Sequence, residues 1–257
     1  DAASGAASWL AQKGKGVAFG GSVIPVVPSA ILFDFPIGGK RDWGLLPPYR
    51  DLAVEACEAA SKDFDLGNVG AGYGATAGSL KGGLGSVSAV TDDGIQVGAI
   101  MGVNPFGSVV MPGTNAFWAW PWEVNGEFGG VQPQKDAPTA DDINPFQVMI
   151  DHGVGNTTIG VVATNVALDK AQAKRVAIMA QDGIARAIRP VHTPVDGDTI
   201  FVLSTAQREP AEPSVAAVGQ IGMMAADCVA RAIARGVFAA EHLGDFPGYR
   251  EQHNGQI

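Results

Sequence analysis

The chain has 257 residues, 46% of them hydrophobic and 17% charged, so it holds enough apolar material for a substantial core and too few charge runs for a disordered chain. Its formal charge is −9 with no cluster of Lys and Arg, so it lacks the basic footprint that a nucleic acid needs; neutral or cationic substrates suit it better. The length fits one large α/β domain.

In chain order, DAASGAASWLAQKGKG reads as a helix already under way at Asp1 and stopped by Gly14 and Gly16. Upstream sequence is therefore expected to be absent, a signal peptide possible within it, and the default expectation for location is cytoplasmic. VIPVVPSAILFDF reads as a proline-interrupted extended segment ending in a buried strand. Residues 50–63 (RDLAVEACEAASKD) are amphipathic at helical spacing. NVGAGYGATAGSLKGGLGS is too rich in glycine for a regular element. SVSAVT and IQVGAIMGVN, joined by Asp92-Asp93-Gly94, predict a β-hairpin.

Residues 113–144 hold three of the five tryptophans among Pro, Gly and Asp, and read as a long surface excursion whose aromatics mostly pack. TTIGVVATNVAL then predicts a strand and LDKAQAKRVAIMAQDGIARAI a long helix. DTIFVLST predicts another strand, and PSVAAVGQIGMMAADCVARAIARGV another long helix. This order implies helices packed on stacked sheets.

Several chemistries are excluded by pattern. Gly70, Gly72 and Gly74 give G-x-G-x-G rather than G-x-G-x-x-G, which reads as a tight turn and not a dinucleotide loop. There is no phosphate-binding G-x-x-x-x-G-K-[ST] and no G-x-S-x-G elbow. The four histidines lack metal-ligand spacing, so no metal and no cofactor are expected. Cys57 and Cys228 sit in Ala-rich helical stretches and read as small packed hydrophobes. No apolar run reaches the roughly 18 residues of a membrane span, so no membrane partner is expected.

The most informative segment is Gly153-Val154-Gly155-Asn156-Thr157-Thr158-Ile159-Gly160, a glycine-flanked junction leading into an apolar strand. Alone the signal is weak, since threonine is at home at strand starts. Its chemistry is specific. A strained Asn156–Thr157 bond can be attacked by the Thr157 hydroxyl, and hydrolysis of the resulting ester leaves Thr157 as a new N-terminus. The freed α-amine has a reference pKa of about 7.7, close to working pH and suited to deprotonating its own hydroxyl. Forty residues on, His192-Thr193-Pro194-Val195-Asp196-Gly197-Asp198-Thr199 sets two carboxylates at a strand entrance. They can orient an ammonium group, or merely shape a turn.

The run GNTTIGVVATNVALDKAQAKRVAIMAQDGIARAIRPVHTPVDGDTIFVLST resembles the P1 (DmpA-type) peptidases, the S58-like family of L-aminopeptidase/D-esterases, β-aminopeptidases and nylon oligomer hydrolases. AILFDFPIGG, NVGAGYGAT, LKGGLGS and the asparagine of GVNPFG follow the same family order. The resemblance implies a four-layer αββα sandwich of the type shared with ornithine acetyltransferase, with an N-terminal portion missing here. It implies one catalytic domain over residues 1–257, self-cleaved into an α segment 1–156 and a β segment 157–257, and assembly into homo-oligomers, tetramers among them. Thr157 matches the nucleophile, Asn156 the residue before the scissile bond, and Asn104 an asparagine that polarises the substrate carbonyl. Lys81 is the candidate for the family's lysine near the nucleophile, with Ser79 as the alternative. Asp196 and Asp198 match the acidic or polar pair beside the nucleophile, and Phe33 and Tyr73 are the expected substrate-binding side chains. Phe33 stands where nylon-oligomer members carry a tyrosine.

The implied activity is hydrolysis of short peptides or amino-acid amides and esters with a free amine, without nucleic acid or membrane. Endo-hydrolysis of 6-aminohexanoate oligomers is the alternative. Acyl transfer of the ornithine acetyltransferase kind and an unprocessed inactive fragment rank below it.

Overall fold

The structure is a computed structural model describing residues 1–40, 42–134, 156–210 and 214–253. These fall into two compact units: residues 1–31 with 39–65, and residues 32–38 with those from 66 onward.

In the first unit, α1 (Ala2–Gln12) and α2 (Tyr49–Glu58) pack together. Both are rich in alanine, which loses no side-chain entropy in a helix. They approach closely at Gly5, where a Cβ would lie 2.2 Å from the Arg50 carbonyl oxygen, and Trp9 Nε1 donates to Glu58 Oε1 at 2.5 Å. α2 stops five residues short of the expected end. Past it, the Ser61 hydroxyl donates to the Asp63 carbonyl, a local bond that competes with helix. β1 (Val17–Phe19) and β2 (Ser22–Ile24) form an antiparallel hairpin around Gly20 and Gly21. The buried strand expected at the end of VIPVVPSAILFDF does not form. Pro25 and Pro28 offer no ladder donors, and Ile31 is exposed.

The second unit is built on one four-stranded sheet with order β5-β6-β7-β8. β5 (Gly83–Val90) and β6 (Gln96–Asn104) are the hairpin expected around Asp92-Asp93-Gly94. β7 (Thr157–Val166) lies antiparallel to β6, and β8 (Thr199–Arg208) runs parallel to β7. The parallel pair is joined through α3 (Lys170–Ala187), which starts at a capping box. Asp169 Oδ1 accepts the Gln172 N–H at 2.8 Å, and Gln172 Oε1 accepts the Asp169 N–H at 2.9 Å. α4 (Ser214–Ala239) packs against α3, β5 and β6.

Strand β5 and helix α4 meet backbone to backbone. A Cβ on Gly85 would lie 1.8 Å from the Ala232 carbonyl oxygen, and one on Gly83 would lie 2.2 Å from that of Gly236. Around this seam Val97, Ala99, Met101 and Val103 of β6 meet Ile221, Val229 and Ile233 of α4, all buried. By length and hydropathy α4 could span a bilayer, but two-thirds of that window is buried in the core. The opposite face of the sheet exposes Ile100 and Leu203.

One further expectation changes. The glycine-dense stretch holds a 3-10 turn at Gly70–Gly72 and a small hairpin of β3 (Thr76–Ala77) and β4 (Leu80–Lys81), because its glycines let backbones pass close. The described part of the tryptophan-rich excursion, 113–134, runs largely at the surface and packs aromatics inward, as expected. Phe117 and Phe128 are fully buried in edge contact at 5.4 Å, and Phe117 packs on Tyr249 of α5 (Tyr249–Gln252) at 4.4 Å. The remainder of the excursion and Gly153 and Gly155 lie outside the described residues.

Because the Gly85 seam is backbone against backbone, Gly85→Ala has no flexible neighbour to displace. It is expected to lower unfolding stability by about 1–3 kcal/mol, read as a reduced urea midpoint at unchanged slope.

Candidate active site

Asn104 ends β6, Thr157 begins β7, and the two are direct cross-strand partners. Strand alternation turns Val103 toward α4, so Asn104 and Thr157 share the other face. Both are almost fully buried, at 1% and 6% exposure.

The side chain of Asn104 is held at both ends. Its Oδ1 accepts the Thr76 N–H at 2.8 Å, and its Nδ2 donates to the Phe33 carbonyl at 2.7 Å. Phe33 thus meets the site through its backbone, its half-exposed ring lying 5.0 Å from that of Phe35. Tyr73 follows the Gly70–Gly72 turn with its side chain well exposed, and joins the cluster only through its chain neighbours.

Lys81 pairs with Thr76 across β3 and β4 and is completely buried. Its ammonium donates to three carbonyls, those of Gly72 at 2.7 Å and of Ala75 and Gly82 at 2.8 Å each. Burial still pushes its pKa down to about 8, with the Asp34 carboxylate pulling in the opposite direction.

The turn before β8 closes the other side. Asp196 Oδ1 accepts the Phe106 N–H at 3.1 Å; its Oδ2 accepts from the Thr193 amide at 3.0 Å and the Thr193 hydroxyl at 2.6 Å. Asp198 Oδ1 accepts the Thr158 N–H at 2.9 Å, and its Oδ2 lies 2.7 Å from His192 Nδ1. Burial raises the Asp198 carboxyl above the usual range against the pull of the Thr158 amide; nearby Asp196 adds to the rise, and His192 opposes it. Between the two aspartates, Gly197 faces the nucleophile candidate: a Cβ there would lie 3.1 Å from Thr157 Oγ1. Asn156 is anchored by its own Nδ2, which donates to the Pro105 carbonyl at 3.2 Å.

The structure therefore gathers Asn104, Asn156, Thr157, Asp196 and Asp198 at one end of the sheet, with Lys81 joined through Thr76. Sequence reasoning missed His192, Gly197 and Thr76. The HTPVDGDT segment contained the first two, but His192 was weighed only as a metal ligand and Gly197 only as a turn former. No group of three or more potential metal ligands occurs among the described residues.

The sequence profile of peptidase family S58 matches residues 1–250. The chain belongs to that family. An uncharacterized aminopeptidase of Mycobacterium bovis is 41% identical over 99% of this chain and 75% of its own length. A 6-aminohexanoate-oligomer endohydrolase of Paenarthrobacter ureafaciens is 29% identical over 71% of this chain and 50% of its own length. Among solved structures, the L-aminopeptidase D-Ala-esterase/amidase of Ochrobactrum anthropi superposes with a TM-score of 0.50 at 24% identity, over 77% of this chain and 52% of that one. It is described as a variant of the Ntn hydrolase fold, and the S58 chain shares that fold while spanning about half the length of the solved structure.

The lowered pKa of Lys81 has a signed consequence. Below pH 8 both folded and unfolded chains hold the proton, and the cost of burying the charge stands in full. Between about 8 and 10.5 the unfolded chain keeps the proton that the folded chain has lost, so stability rises with pH. Relative to Lys81→Met, the parent should gain at most about 3 kcal/mol across that window. Urea denaturation of both chains at several pH values measures it.

Proposed function

We propose that this chain is a self-processing amide hydrolase in which Thr157 cuts the Asn156–Thr157 bond and then acts as an N-terminal nucleophile. The observation that carries the reading is the pairing of buried Thr157 with buried Asn104, flanked by Asp198 on the next backbone amide. That arrangement sets a hydroxyl, an amide donor and an immobilised chain junction at one strand end.

In turnover the Thr157 hydroxyl, deprotonated by its own free amine, adds to the acyl carbon of a substrate. Asn104 Nδ2, already oriented by the Thr76 and Phe33 contacts, offers a hydrogen to the acyl oxygen as negative charge develops. The substrate amine departs with a proton, and water hydrolyses the Thr157 ester. The S58 membership and the aminopeptidase relatives support short peptides or amino-acid amides and esters with a free amine as substrates, and the net charge of −9 favours an ammonium-bearing ligand. Endo-hydrolysis of linear amide oligomers is the second reading, favoured by the 6-aminohexanoate-oligomer endohydrolase relatives. The exposed Ile100 and Leu203 on the open sheet face support assembly into a homo-oligomer.

The intact mass under denaturing conditions should show two fragments split at Asn156–Thr157. Thr157→Ala should abolish both the split and turnover, and Thr157→Ser should keep some of both. A Thr157→Ala protein that still splits and turns over would overturn the mechanism. Alanine p-nitroanilide is expected to be cleaved, and activity on a 6-aminohexanoate oligomer alone would move the assignment to the second reading.

A further inference from the structure

The register that pairs β7 with β8 extends past the strand itself. Asn156 bridges Asp196 in parallel, at the same offset of 40 residues that pairs Ile159 with Thr199. The bridge is made of two bonds: the Asn156 N–H donates to the Val195 carbonyl at 3.2 Å, and the Gly197 N–H donates to the Asn156 carbonyl at 3.0 Å. The regular ladder resumes only at Ile159. In the gap, the Thr158 N–H goes to Asp198 Oδ1, and the Gly197 carbonyl accepts from the Thr199 hydroxyl at 3.3 Å. The peptide between Asn156 and Thr157 is thus pinned on both sides by the Val195–Asp198 turn.

One atom of that peptide matters for chemistry. The Asn156 carbonyl oxygen is the atom that gains negative charge when Thr157 Oγ1 attacks the Asn156 carbon, and it already holds a backbone donor. The same glycine faces the attacking hydroxyl, with 3.1 Å between Thr157 Oγ1 and the place a Cβ would take. Asn104 Nδ2 donates to the Phe33 carbonyl and makes no hydrogen bond to the Asn156 oxygen, which accepts from Gly197.

We propose that Gly197 is the processing residue of the chain: its N–H is the oxyanion donor for self-cleavage, and its missing side chain leaves the space from which the Thr157 hydroxyl attacks. The proposal rests on cleavage at Asn156–Thr157 as read above. In the step, Thr157 Oγ1 bonds to the Asn156 carbonyl carbon and the C=O electron pair moves onto oxygen, where the Gly197 N–H holds it. The pair returns as the C–N bond breaks, and the hydroxyl proton ends on the Thr157 nitrogen. Water then adds to the ester, releasing the Asn156 carboxylate and restoring the hydroxyl. A neutral N–H···O=C bond becomes charge-assisted only in the intermediate, so the donor lowers the barrier more than it stabilises the uncut chain. Self-processing and substrate turnover then use different donors, Gly197 N–H for the first and Asn104 Nδ2 for the second.

The test replaces the Gly197 amide with an ester, by incorporating glycolic acid at position 197 through nonsense suppression. The shape is kept and only the N–H is lost. Splitting of the purified full-length chain is followed by intact mass, and a slowing of about 100-fold or more is expected. Gly197→Ala keeps the N–H but sets a methyl group against Thr157 Oγ1, and it too should split more slowly. An ester chain splitting at the parent rate overturns the donor role. If that chain does not fold, Gly197→Ala decides: splitting at the parent rate overturns the placement of Gly197 against the nucleophile. A parent chain that never splits at Asn156–Thr157 would sink the underlying reading instead.

Discussion

The pairing of β7 on both edges governs everything at this end of the molecule. Its antiparallel register with β6 brings Thr157 opposite Asn104, and its parallel register with β8 brings Asn156 opposite Asp196. A slip of one residue in either ladder would turn Thr157 toward α4 and carry Asn104 or Gly197 out of reach. The register is held far from the site by burial: Val162 and Val166 of β7 lie in the core with Val97, Ala99 and Met101 of β6, under Ile221 and Val229 of α4. Hydrophobic packing at one end of the strands thereby sets polar geometry at the other.

The polar groups trapped beside that strand end are satisfied mainly by backbone. Lys81 spends three donors on the carbonyls of Gly72, Ala75 and Gly82, and Asn104 is clamped between a Thr76 amide and a Phe33 carbonyl. Asp196 and Asp198 likewise take backbone amides of residues 106, 193 and 158. The density of glycine between residues 70 and 85 has its reason here. A Cβ on Gly72 would lie 2.1 Å from the Leu84 nitrogen, and one on Gly82 would lie 2.2 Å from the Val103 oxygen, so the loop comes this close only without side chains. Backbone donors and acceptors cannot rotate away as side chains do, which keeps the cluster preorganised.

Much of this was legible in the sequence. The β5–β6 hairpin, β7, α3, β8 and α4 all follow from periodicity and turn residues, because each is long and has one strongly apolar face. The 25–35 segment and the small β3–β4 hairpin were misread, since their conformation comes from tertiary contacts: the Phe33 carbonyl bonds a side chain on β6, and two-residue strands carry no periodic signal. Packing of the aromatics among Pro and Gly at 113–134 was expected, but the partner of Phe117, Tyr249, lies more than a hundred residues away and could not be read from the sequence. At the site, Thr157, Asn104, Asp196 and Asp198 were visible through family resemblance. Gly197 was not, because a backbone N–H leaves no mark in composition, and the space a glycine leaves open shows only in three dimensions.

The order β5-β6-β7-β8 has one more consequence. A cut at Asn156–Thr157 would leave β5 and β6 on one piece of chain, and β7, β8, α3 and α4 on the other. The seam between β5 and α4 and the ladder between β6 and β7 would both become contacts between separate molecules, each piece lacking half of the sheet. Neither could leave without exposing the whole core, so the nicked protein would hold together as an obligate heterodimer. Its return from the unfolded state would be a bimolecular encounter, slower on dilution and with a melting point that depends on protein concentration. Cutting would thus turn a chain that can refold alone into one whose assembly happens efficiently only once, before the cut.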